Sequence, residues 1–134
     1  KVCGTSAKAC ARPTYCSREP MMIERINVGP SASQLVLVDG RIETSGIVAL
    51  TPLHDIGEQT RCVLAQLEQW LAQIGASKDN LTRMQIWLAD MSEFTAMNEV
   101  YDAWVGDLPP VRACVGAALA TPQYRIEIQA FGQL

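Results

Sequence analysis

A chain of 134 residues with a formal charge of −3 and no basic cluster in its body is sized for one compact domain and offers no phosphate-tracking surface for DNA or RNA. Such a length buries about two-thirds of the surface that the unfolded chain exposes. No apolar run approaches a membrane span, and the charge is uneven: residues 22–134 hold seven Lys/Arg against thirteen Asp/Glu, a net of −6.

The first 21 residues differ in kind from the rest. They carry Cys3, Cys10 and Cys16 without periodic apolar patterning, and they lack the apolar run of about 7–15 residues that a secretory signal needs. Gaps of six and five residues between these cysteines match no short zinc-ligand pair. Residues 1–21 are therefore expected to be a cloning-derived or upstream-translated leader, with the natural start near Met21 or Met22 and a single domain over 22–134. A redox or metal-binding tail is the alternative. Beyond the leader only Cys62 and Cys114 remain, too few for a disulfide framework and in keeping with a reducing, cytoplasmic location.

Met22 to Asn27 reads as a short strand, closed by Gly29-Pro30 and the small-residue loop Ser31-Ala32-Ser33. Two β runs follow, Leu35 to Val38 and Arg41 to Gly46, separated by Asp39-Gly40, a pair suited to the positive φ values of a type I′ hairpin turn. His54, the sole histidine, falls in the loop after them. No motif places an acid or a nucleophile near it, so it reads as a loop histidine rather than a catalytic base.

From about Asp55 the period changes. Val63, Leu64, Leu67, Trp70, Leu71 and Ile74 recur at three- and four-residue steps, which predicts an amphipathic helix ending at Gly75. Leu81 to Leu88 alternates again, with Met84, Ile86 and Leu88 on one side. Asp90 or Ser92 then caps a second helix that should bury Phe94, Met97, Val100, Tyr101, Trp104 and Val105, closed by Gly106 and Pro109.

Two final strands carry the residues of most chemical interest. In Val111-Arg112-Ala113-Cys114-Val115 alternation puts Arg112 and Cys114 on one side, and in Tyr124 to Phe131 it separates Ile126, Ile128 and Ala130 from Arg125, Glu127 and Gln129. A shared sheet face bearing Arg112, Cys114 and Glu127 is expected, too polar for a plain core and so open to water or part of a site. The order β, β-hairpin, α, β, α, β, β lets both helices lie on one face of a single sheet. The other face, left uncovered, predicts a closed homo-oligomer.

Over Met22 to Leu134 the chain resembles the YjgF-type reactive intermediate deaminase (Rid) family. The resemblance rests on Thr44-Ser45-Gly46, Glu58-Gln59-Thr60, Leu88-Ala89-Asp90 with Phe94 and Met97-Asn98, Tyr101, Pro110 to Val115, and Ile126-Glu127-Ile128, in order and at matching spacing. The short connection from Leu88 to Phe94 looks most like the small bacterial YoaB-type branch. The resemblance implies a chorismate-mutase-like α+β fold, a homotrimer with sites between subunits, and hydrolysis of 2-imino acids to 2-oxo acids and ammonia without metal or organic cofactor. It implies Arg112 as the carboxylate clamp and Glu127 as the group that positions or deprotonates water, with Ser45, Gly46, Asn98 and Cys114 lining the pocket. Without turnover, the same residues would make a trimeric binder or sensor of small carboxylates. On the residues alone, Arg112 and Glu127 could instead form an interstrand ion pair. Ala32 stands where the best-characterised deaminases carry a tyrosine, so the aromatic group that closes over the substrate is missing.

Overall fold

The computed structural model describes residues 22–134. The leader expected over residues 1–21 lies outside the described residues. Eight main elements follow the expected order: β1 (Ile23–Val28), β2 (Ser33–Val38), β3 (Arg41–Thr44), α1 (Ile56–Ala72), β4 (Leu81–Leu88), α2 (Phe94–Val105), β5 (Val111–Gly116) and β6 (Ile126–Gln133).

The local chemistry explains their ends. Asp39 and Gly40 turn β2 into β3 with φ of 55° and 82°, the left-handed pair that a type I′ hairpin demands. The Asp55 side chain accepts from the Glu58 backbone N–H at 2.9 Å and caps α1. At the other end Gly75 takes φ 73°, and the N–H groups of Gly75 and Ala76 close onto the carbonyls of Ala72 and Leu71. This Schellman closure satisfies carbonyls that would otherwise lack partners. Asp90 caps a short 3₁₀ turn, Met91–Glu93, which leads directly into α2.

The strands form one sheet in the order β1-β2-β3-β6-β4-β5. Only β4 and β5 run parallel, joined by the crossover through α2; every other neighbouring pair is antiparallel. The register defines two faces. On one, Ile42 beside Gly132, Met84 beside Ala130, Ile86 beside Ile128 and Leu88 beside Ile126 are buried under Val63, Leu64, Leu67 and Leu71 of α1 and Met97 and Tyr101 of α2. The other face shows a row that crosses all six strands, Arg25, Val36, Glu43, Phe131, Arg83 and Val111, and no helix covers it among the described residues. This is the α+β single sheet with two helices on one face expected from the sequence.

The second helix buries less than its stripe suggests. Met97 and Tyr101 are enclosed, whereas Phe94, Val100, Trp104 and Val105 are half-exposed at its margin. Trp104 uses this position, donating from Nε1 to Glu68 Oε2 at 2.7 Å and ranging under the Lys78 ammonium.

Candidate functional site: two clusters on opposite faces of the sheet

The first cluster forms where β3 ends. Ser45 donates from Oγ to the Ser33 carbonyl at 2.6 Å and from its backbone N–H to the Gln34 carbonyl at 2.9 Å. Two reciprocal backbone bonds between Ile47 and Ile128, 2.7 and 3.0 Å long, then pull the chain onto β6. Gly46 is thereby brought over the Glu127 side chain: a β-carbon at 46 would collide with Oε2 and lie 2.9 Å from Cδ. Only glycine leaves the carboxylate its place.

The loop between Gly46 and α1 is tied to the same strand by a buried glutamine. Gln59 Nε2 donates to the carbonyls of Pro52, His54 and Gln123, and its Oε1 accepts from the Arg125 N–H at 2.9 Å. His54 itself is exposed and contributes only its backbone carbonyl, as its loop assignment predicted.

The second cluster sits on β5, the edge strand, beneath α2. Register places Arg112 beside Met84 and Cys114 beside Ile86, so both side chains project on the helix-covered face. At the sheet's edge the apolar row Ala130, Met84 leaves the core and ends on Arg112. There the guanidinium donates from Nη1 to Asn98 Oδ1 at 2.6 Å, and lies 4.7 Å from the Tyr101 ring centroid and 5.6 Å from that of Phe94. Asn98 in turn donates from Nδ2 to Asp102 Oδ2 at 3.1 Å, which orients the amide with its oxygen towards the arginine. Burial pushes the Cys114 thiol up from its ordinary pKa, opposed by the nearby Arg112 charge. This favours the protonated thiol, the less nucleophilic form.

The expected common face is corrected by this register. Glu127 pairs with Trp87, and Trp87 is one residue out of phase with Ile86, the partner of Cys114. Glu127 therefore opens on the uncovered face while Arg112 and Cys114 open on the helical one. Alternation sets which residues of one strand share a side, but not which side of the next strand they join. The interstrand ion pair does not form either: the ion pairs among the described residues are Arg41–Glu43, Arg61–Glu58 and Arg125–Glu93. One chain thus brings Gly46, with Ser45 preceding it, over Glu127 and brings Asn98 and Cys114 to Arg112, but does not bring the two groups together.

A surface cleft of about 480 Å³ adjoins the first cluster. Gly29 to Ser33, Ser45 and Gln129 line it, with Arg25 and Glu43 at its rim, and Ala32 adds no bulk. Among the described residues no group of three or more His, Cys, Asp or Glu is arranged to hold a metal ion. No helix of the described residues is long and apolar enough to cross a membrane.

Residues 22–133 match the family model described as Endoribonuclease L-PSP. The chain belongs to this family, also known as YjgF/Rid. Its relatives include a RutC family protein of Haemophilus influenzae, 37% identical over 110 residues that span 81% of this chain and 95% of that protein. The RutC family protein YoaB of Escherichia coli is 36% identical over 110 residues, 81% of this chain and 96% of the other. A crystal structure of a YjgF-family protein from Neisseria meningitidis matches with a TM-score of 0.81 at 39% identity, covering 84% of this chain and 94% of that one. Strand alternation marks Arg112, Cys114 and Glu127 in the sequence, and the family resemblance adds Ser45, Gly46 and Asn98. Phe94 and Tyr101, read as buried residues of the helix and as part of the family pattern, are given no site role there, although their spacing with Asn98 puts all three on one stripe of α2.

Proposed function

We propose that the protein hydrolyses reactive 2-imino acids to 2-oxo acids and ammonia, as a homotrimer whose sites lie between subunits and use no metal or organic cofactor. The observation that carries this is Arg112: a permanently charged fork, oriented by Asn98 and two aromatic rings, with no carboxylate paired to it among the described residues. A planar guanidinium left in this condition suits bidentate capture of a substrate carboxylate.

With the carboxylate held, the adjacent C=N carbon is fixed, and much of the acceleration is orientation. Glu127 takes a proton from water as the new C–O bond forms. That proton passes to the imine nitrogen to give the carbinolamine; Glu127 then accepts the hydroxyl proton and returns it to the nitrogen as the C–N bond breaks, releasing the 2-oxo acid and ammonia. General-base help of this kind is worth about 10²–10⁴-fold. The opposite faces of Arg112 and Glu127 motivate the trimer, since the arginine edge of one subunit can meet the Glu127 face of the next. Two free thiols, Cys62 and Cys114, accord with a cytoplasmic setting.

A second reading is favoured by Ala32. Without an aromatic cover, the Arg112 site would bind small carboxylates as a sensor and turn nothing over. The family description also names an endoribonuclease. The net charge of −6 over residues 22–134 and the single histidine disfavour RNA cleavage here.

The test uses an amino-acid oxidase to generate imines from several amino acids while semicarbazide competes for them. The wild type should divert imine from semicarbazide and Arg112→Ala should not. Equal rates for the two would sink the assignment, calorimetric binding of 2-oxobutanoate without acceleration would favour the sensor, and RNA cleavage insensitive to Arg112→Ala would overturn the site.

A further inference from the structure

An arginine that must bind a carboxylate poses a design conflict. A long side chain needs to be held still, yet holding it with a protein carboxylate would consume the N–H fork meant for the ligand. The neighbours of Arg112 resolve this conflict. Phe94, Asn98 and Tyr101 stand at steps of four and three residues along α2 and so face β5 as one stripe. Asn98 takes one N–H of the guanidinium, and the two rings engage it through their π faces, which attract the cation without accepting in the manner of a carboxylate.

Of the two rings, Tyr101 is the nearer and the immobile one. Tyr101 is 3% exposed, against a half-exposed Phe94, and its ring centroid is 4.7 Å from the guanidinium carbon against 5.6 Å. Its hydroxyl is buried without a hydrogen-bond partner among the described residues, so the contact with Arg112 is made by the ring.

We propose that Tyr101 is the positioning residue for Arg112, its ring fixing the guanidinium while leaving the fork free for a substrate carboxylate. The proposal rests on the carboxylate-binding role of Arg112 given above. Tyr101 touches no reacting atom, and its effect on the substrate passes entirely through the arginine.

The experiment compares Tyr101→Phe, which keeps the ring, with Tyr101→Leu, which removes it, each alone and combined with Arg112→Ala. Side-chain NMR of the Arg112 Nε–H, assigned by its loss in Arg112→Lys, should show a ring-current shift in the wild type and in Tyr101→Phe, and lose it in Tyr101→Leu. Tyr101→Leu should raise the dissociation constant for 2-oxobutanoate about tenfold and lower kcat/KM for the imine by at least as much. Tyr101→Phe should behave as wild type, and Tyr101→Leu should add nothing on the Arg112→Ala background. An unshifted Arg112 resonance in Tyr101→Leu, or an equal loss on both backgrounds, would overturn the proposal. Wild-type binding by Arg112→Ala would instead overturn the function assigned to the arginine, while the NMR comparison still decides whether Tyr101 holds it.

Discussion

Gly46 lies so close over Glu127 that the carboxylate occupies the space a β-carbon at position 46 would need. Because the Ile47–Ile128 bonds hold both segments, neither backbone can retreat, and the side chain must move instead. Gly46→Ala is therefore expected to displace Glu127 while leaving the fold intact. Imine hydrolysis should fall about 10²-fold in kcat, the loss typical of misplacing a catalytic group by about an ångström. The check is kinetics beside circular dichroism, and a variant that keeps wild-type kcat would remove Glu127 from the chemistry.

Gln59 carries a comparable load for the loop that precedes α1. Replacing it by Leu leaves the carbonyls of Pro52, His54 and Gln123 and the Arg125 N–H without their partner. Water can reach some of these groups, so a loss of about 2–4 kcal/mol in stability is expected. Urea denaturation measures it, and a loss below about 0.5 kcal/mol, the range of an ordinary surface change, would show that the loop does not depend on this residue.

Most of the fold could be read from periodicity. The switch from two-residue to 3.6-residue spacing located the strands and helices, and Asp39-Gly40, Asp55 and Gly75 marked their ends through local backbone chemistry. What the pattern could not carry was the phase between strands. Arg112 and Glu127 sit fifteen residues apart on strands that are not neighbours, with β4 between them, and only the ladder hydrogen bonds decide that they face opposite ways. Gln59 stands in the sequence only as part of the Glu58-Gln59-Thr60 motif, and its bonding role is hidden for a related reason. A glutamine in the first turn of an amphipathic helix looks solvated until the segment around Gln123 and Arg125, more than sixty residues later, folds over it.

Alkaline pH should destabilise the protein through two acids held protonated by burial. Both the Cys114 thiol and the Tyr101 phenol have raised pKa values, chiefly from desolvation, with Arg112 opposing each. A raised acid binds its proton more tightly in the folded state, so its stabilising effect is complete below the unfolded pKa and is lost as pH climbs towards the folded one. Stability should begin to fall above pH of about 8.5, where unfolded thiols ionise, and fall more steeply above about 10, where unfolded tyrosine does. Cys114→Ala should flatten the first part of the slope, as followed by urea midpoints between pH 7 and 10.5. An unchanged slope in that variant would exclude the thiol as its source.

Tyr101→Phe separates the two ends of one side chain. The hydroxyl is buried without a partner among the described residues, so its removal relieves a desolvation cost, while the ring against Arg112 remains. An increase in stability of about 1 kcal/mol is expected, visible as a higher urea midpoint at constant m-value. A loss of similar size would mean that the hydroxyl has a partner, such as an ordered water, that it contributes to folding.

On the proposed imine chemistry, a change at Ala32 is expected to alter substrate choice without touching the charged groups. It lines the cleft of about 480 Å³ that adjoins Ser45, in the connection between β1 and β2. A tyrosine there would fill part of that space and cover a small imino acid, adding an aromatic contact worth about 1 kcal/mol in the transition state. Ala32→Tyr should therefore raise kcat/KM about five- to tenfold for the imine of alanine. For imines with bulky side chains, which need the open cleft, the same change should lower it. Competition assays across a series of amino acids test the crossover. A uniform change for small and large substrates alike would show that the cleft does not receive the substrate side chain, and would assign specificity to the β5 edge around Cys114 instead.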